Sequence, residues 1–106
     1  MKLKTLKNMY DELNTSVFAG VLTRPLMLNT RASWLYACYS IAGYQSIIHF
    51  NLKHLRNKGF KVLYHEMIHQ YVEEYLGIEE EDHHGEEFWR NYRLFNPGYE
   101  LFQELE

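Results

Sequence analysis

One cysteine, Cys38, stands in 106 residues. A lone thiol cannot close a disulfide within the chain, which excludes the cross-linked framework of small secreted domains. Prolines number two and glycines six, too few for a Pro- or Gly-rich linker to divide the chain. No apolar run approaches the roughly 18 residues that a membrane-spanning helix needs. The opening stretch Met1-Lys2-Leu3-Lys4-Thr5-Leu6-Lys7 is charged, but no apolar segment of the signal-peptide kind follows it. These absences lead to the expectation of a cytoplasmic monomer with no membrane partner.

What is present suits one compact domain over residues 1–106. Hydrophobic residues make up 46% and charged residues 24%, so a soluble globular core is expected. Nine tyrosines make that core aromatic. The charge is unevenly spread. Residues 1–61 hold nine Lys/Arg against Asp11 and Glu12, a balance of +7, whereas residues 62–106 hold two against twelve, a balance of −10. A basic first half is able to face phosphate. An ordinary solvated lysine surface accounts for the same residues.

Leu3, Leu6, Tyr10, Leu13 and Val17 recur at helical spacing and predict an N-terminal helix that ends at Gly20. Pro25 to Asn29 reads as a strand, Trp34 to Ser40 as a second and Tyr44 to Phe50 as a third, with a hairpin around Gly43. Asn51 to Asn57 suggests a short helix. A longer one is expected from Phe60 to Leu76, capped by Gly77. The acidic run from Glu79 to Asp82 is a loop. Gly85 to Phe95 is a C-terminal helix with Glu86 and Glu87 in its first turn, where the helix dipole favours negative charge. Beyond Asn96-Pro97-Gly98, the tail from Tyr99 packs as a last turn. Helix, three strands and helices describe an α+β domain with a small antiparallel or mixed sheet.

The chemistry concentrates on the long helix. His65 and His69 lie four residues apart, so both imidazoles emerge on one face, one turn apart. That spacing lets two ring nitrogens reach one Zn²⁺ at about 2.0–2.1 Å. Glu66 adjoins them without being a ligand. His65-Glu66-Met67-Ile68-His69 is the H-E-x-x-H arrangement of zinc peptidases, in which the metal makes a water nucleophilic near neutral pH and the carboxylate moves its proton. Two surface histidines on an amphipathic helix would give the same letters.

A catalytic zinc takes a third protein ligand and keeps a fourth position open. His83, His84, Glu86 and Glu87 are the nearest candidates. The extended motif of the metzincins would need Gly at 72 and His at 75, where the chain has Val72 and Tyr75. His84-Gly85-Glu86-Glu87-Phe88-Trp89 resembles the H-G-x-x-F/W element that follows H-E-x-x-H in the SprT-like family, which includes the Spartan-type DNA-dependent proteases. Tyr10-Asp11-Glu12-Leu13-Asn14 with Phe18 and Gly20 resembles that family's opening helix. Val21 to Pro25 resembles its entry to the first strand, and Ile48-His49-Phe50-Asn51 the end of a later one. The resemblance runs over residues 7–95. It implies a zincin-like fold, His84 as third zinc ligand, Glu66 as general base, Gly85 as a tight turn and Phe88 as a core anchor. It also implies a peptidase acting on DNA-associated proteins, with single-stranded or damaged DNA as a partner of the basic N-terminal half. With one cysteine, the chain departs from members that carry a C-terminal zinc ribbon.

The remaining candidates have plainer readings. Cys38 is expected as a small core residue, His49 as a packing residue, and His54 and His83 as solvated. Trp34 and Tyr36 beside Arg31 could stack on bases, but core or sheet-face packing is the favoured reading of both. The strand Tyr44 to Phe50 is expected as the edge on which a substrate peptide would add. The rival function is a non-catalytic zinc module that binds nucleic acid or a protein.

Overall fold

The computed structural model describes residues 2–31, 36–79 and 81–95. It is α+β: helix α1 (Leu3–Ser16), strands β1 (Leu26–Asn29), β2 (Ala37–Ala42) and β3 (Gln45–Phe50), then helices α2 (Leu52–Leu55), α3 (Gly59–Gln70) and α4 (Glu86–Phe95). A π-helical turn, Tyr71–Tyr75, extends α3. The expected C-terminal turn and Trp34 lie outside the described residues. Among those described, no helix is long and apolar enough to cross a membrane.

Helix α1 forms because Leu6, Tyr10 and Leu13 make one apolar stripe, and all three are buried. It unwinds through left-handed backbone at Ala19 and Gly20, where the Gly20 N–H donates to the Asn14 carbonyl at 2.7 Å. The Asn14 amide then clasps Leu22, donating to its carbonyl at 2.8 Å and accepting from its N–H at 3.1 Å. This directs the chain into β1.

The sheet is mixed, in the order β1-β3-β2, with β3 parallel to β1 and antiparallel to β2. A two-residue turn at Gly43 and Tyr44 sets Ala42 opposite Gln45, and the positive φ at Gly43 is one that glycine adopts without strain. The third strand is therefore the middle of the sheet, and its expected role as a substrate edge is corrected. Hydrogen bonding on both sides leaves β3 no free ladder, and among the described residues the outer strands are β1 and β2. On β3, Ser46, Ile48 and Phe50 alternate inward and are buried. On β2, Ala37 and Tyr39 are partly buried, and that parity turns Cys38 outward. Cys38 is exposed, contrary to the core position expected from sequence. The second strand also starts later than expected and runs on through Ile41 and Ala42 into the hairpin.

Helix α3 is the centre of the molecule. Nine of its twelve residues are buried, among them the polar Glu66, His69 and Gln70. The Gln70 side chain accepts from the Tyr10 hydroxyl at 2.7 Å and donates to the Thr23 carbonyl at 2.6 Å, tying α3 to α1 and to the approach to β1. On the other flank the Tyr64 hydroxyl donates to the Tyr92 carbonyl of α4 at 2.7 Å.

Candidate metal centre

Helix α3 presents His65 and His69 one turn apart, and the loop before α4 brings His84 to them. The His84 Nε2 lies 3.0 Å from the His65 Nε2 and 3.2 Å from the His69 Nε2. Tetrahedral nitrogens bound to one zinc at about 2.0–2.1 Å stand about 3.3 Å apart, so the spacing fits a single ion. These three histidines lie close enough to hold a metal ion and form the one such group among the described residues. Glu86 and Glu87 stand outside it, and Glu87 is turned to Arg90, which donates to its carboxylate at 2.8 Å. His49 and His54 lie elsewhere, on β3 and α2.

The loop is shaped by Asp82. Its carboxylate accepts from the His84 N–H at 3.0 Å, and its carbonyl accepts from the Gly85 N–H at 3.0 Å. This Asx turn aims His84 at α3. Left-handed glycine backbone occurs at Gly20, Gly43 and Gly77. Gly85 does not use it, and it takes part in the expected tight turn through its N–H, which donates to the Asp82 carbonyl. Phe88 is the residue behind the site. Its ring centroid lies 4.4 Å from that of His69 and 4.9 Å from those of His65 and His84. With 1% exposure it is the core anchor expected of it, and it also backs all three imidazoles. The His65 Nδ1 is buried and makes no hydrogen bond. The ring of His65 is held by packing against Phe88 and Tyr92.

Burial sets the electrostatics. It pushes His65 down to about 4 and His69 to about 3, each reinforced by neighbouring imidazoles. Both rings are therefore neutral at pH 7 and keep a lone pair for a metal. Glu66 is pushed up to about 8 by burial, against the hydrogen bond it accepts from the Tyr39 backbone N–H; repulsion from Glu73 adds to the rise. A dication on the imidazoles would favour the ionised carboxylate.

The three histidines and Glu66 form the floor of a cleft of about 210 Å³. One wall is the start of β2, with Ala37, Cys38 and Tyr39, and the other carries Glu73 and His83. His83 is exposed as expected, yet it borders the cleft, with its ring centroid 6.4 Å from that of His69. Sequence reading missed Glu73, Asp82 and the wall formed by β2. The sole local signal was the spacing of Glu73, one helical turn beyond His69.

The basic residues of the first half are divided. Arg24 pairs with Asp11 at 3.0 Å. Lys58 lies over the Tyr36 ring at 5.2 Å from its centroid. Arg31 and Lys53 line a separate pocket.

No family model matches this chain, and no curated protein or solved structure matches it.

Proposed function

We propose that the protein is a zinc-dependent endopeptidase of the SprT-like kind, with a zincin-like fold. His65, His69 and His84 hold the metal and Glu66 is the general base. The observation that carries this reading is the convergence of three Nε2 atoms beside a buried carboxyl group at the floor of an open cleft.

A zinc ion at the three imidazoles supplies a Lewis acid that polarises a carbonyl and makes water nucleophilic near neutral pH. The chain's own groups do the rest. Glu66, held by the Tyr39 N–H, takes a proton from the attacking water and returns it to the leaving amine. The outer edge of β2 borders the cleft, so a substrate peptide would lie along β2 rather than β3. Proteins bound to DNA are the proposed substrates, in keeping with the SprT-like reading. A non-catalytic zinc module would call for a fourth protein ligand. His83, the nearest candidate by sequence, stands outside the metal-holding group.

The test joins metal analysis to proteolysis. Wild-type protein should bind one zinc per chain and cleave an unfolded protein substrate. Glu66→Gln should keep the zinc while its cleavage falls by about 10²–10⁴-fold. Cleavage by Glu66→Gln at the wild-type rate would remove Glu66 from the mechanism, and a wild type that binds zinc without cleaving anything would favour the binding module.

A further inference from the structure

A second concavity, apart from the metal cleft, opens at the carboxyl ends of the parallel strands β1 and β3. The Thr30 N–H donates to the Phe50 carbonyl at 2.7 Å, and the Asn51 N–H donates to the Tyr36 carbonyl at 2.9 Å. The chain thus stands on both sides of the end of β3 and then leaves it into α2. Where connections diverge after parallel strands, a crevice remains, and such crevices are where open sheets hold ligands. Here its volume is about 560 Å³, within the range of small-molecule sites.

Its lining is rich in donors. Among the described residues it comprises Asn29, Thr30, Arg31, Asn51, Lys53 and His54, with no carboxylate. That is notable in a chain with 14 acidic residues and a net charge of −3. The Arg31 guanidinium offers a planar fork and Lys53 a point charge, the two cation types that recognise phosphate oxygens. The Asn29 Oδ1 accepts from the Leu52 N–H at 3.2 Å, which fixes the side chain and leaves the Asn29 amide NH₂ as a donor. The Arg31 and Lys53 cations, with the Asn29 amide beside them, suit a compact anion with several acceptor oxygens.

We propose that this pocket binds a phosphate group, carried by a nucleotide-sized ligand or by a nucleic-acid strand. The two carriers share one chemistry, and the pocket's action does not require that the metal cleft be a peptidase.

The test is an NMR titration of the isotope-labelled full chain at low ionic strength. Inorganic phosphate, a nucleoside monophosphate and a short single-stranded oligodeoxynucleotide are added in turn, with sodium chloride at matched ionic strength as the control. Saturable amide shifts should centre on residues 29–31 and 51–54. The exposed pair Arg31→Gln with Lys53→Gln should weaken binding by about tenfold or more, since two charge-assisted contacts are lost. Lys4→Gln on α1 should change nothing. Saturation by the mononucleotide identifies a small ligand, and saturation by the oligonucleotide alone identifies a strand; both support the site. Shifts that never saturate, that chloride reproduces or that survive unchanged in the double variant overturn it.

Discussion

Glu66 and His69 are buried and His65 is half-buried beside them, and desolvation moves their proton affinities in opposite directions. In protein stripped of metal by a chelator, folded Glu66 titrates near 8 against an ordinary 4.5. The folded chain then holds an extra proton across that window, and its stability falls as pH rises through it. Folded His65 and His69 titrate near 4 and near 3 against 6.5. Here the unfolded chain binds more protons, so stability falls as pH drops below about 6.5. The stripped protein should therefore be most stable near pH 6.5, where the extra protons on the unfolded histidines balance the one on folded Glu66. Glu66→Gln should flatten the alkaline flank and leave the acid flank in place. Calorimetric midpoints from acid to alkaline pH measure both, and an unchanged alkaline fall in Glu66→Gln would assign that fall to another group. The ligand histidines separate as cleanly. His84→Ala should lower zinc affinity by about a hundredfold or more, whereas His83→Ala should leave it within about twofold, because a ligand carries a metal bond and a wall residue does not. Competition with a chromophoric chelator reads both constants, and the reverse order would make His83 the third ligand.

At the scale of elements, α4 is the backing of the metal centre, because Phe88 touches all three imidazole rings. Phe88→Ala should cost about 3–5 kcal/mol in urea unfolding, as large truncations in a packed core do. The same change should also weaken zinc binding, since the rings lose the surface that aligns them. Phe88→Leu, which keeps most of the volume, should recover most of both. Zinc affinity equal to wild type in Phe88→Ala would mean that the imidazoles orient without their backing. The elements also mark what a sequence carries and what it does not. His65 and His69 were legible because four-residue spacing on a helix is local geometry. His84 was legible through its resemblance to the H-G-x-x-F/W element rather than through its distance from His69. The position of β3 was not legible, since strand order is a long-range property and Tyr44 to Phe50 reads alike at an edge or in the middle. Cys38 was misplaced because strand parity depends on whether Ala37 and Tyr39 face the core, and the pairing with β3 decides that. Asp82 lay within an acidic run that looked uniformly solvated, though one of its carboxylate oxygens holds the backbone of His84.

Across the whole molecule, the metal would tie an exposed loop to the buried central helix. His65 and His69 belong to the buried central helix, whereas His84 sits on an exposed loop held by its own short turn. Binding of an ion to the folded chain alone stabilises it by mass action, about 2.7 kcal/mol when zinc is a hundredfold above its dissociation constant. For a domain of this size each kcal/mol raises the unfolding midpoint by about 4–8 °C. Zinc should thus raise the midpoint of the stripped protein by about 10–20 °C at that excess, and the rise should grow with the logarithm of zinc concentration. The increment belongs to binding rather than catalysis, so Glu66→Gln should show it in full. His84→Ala should lose most of it, while its metal-free midpoint stays near that of wild type, because the side chain is exposed. Thermal unfolding over a zinc series measures all three proteins on one axis. A His84→Ala chain that gains the wild-type increment would mean that α3 holds the ion without the loop, and the three-histidine centre would then be wrong.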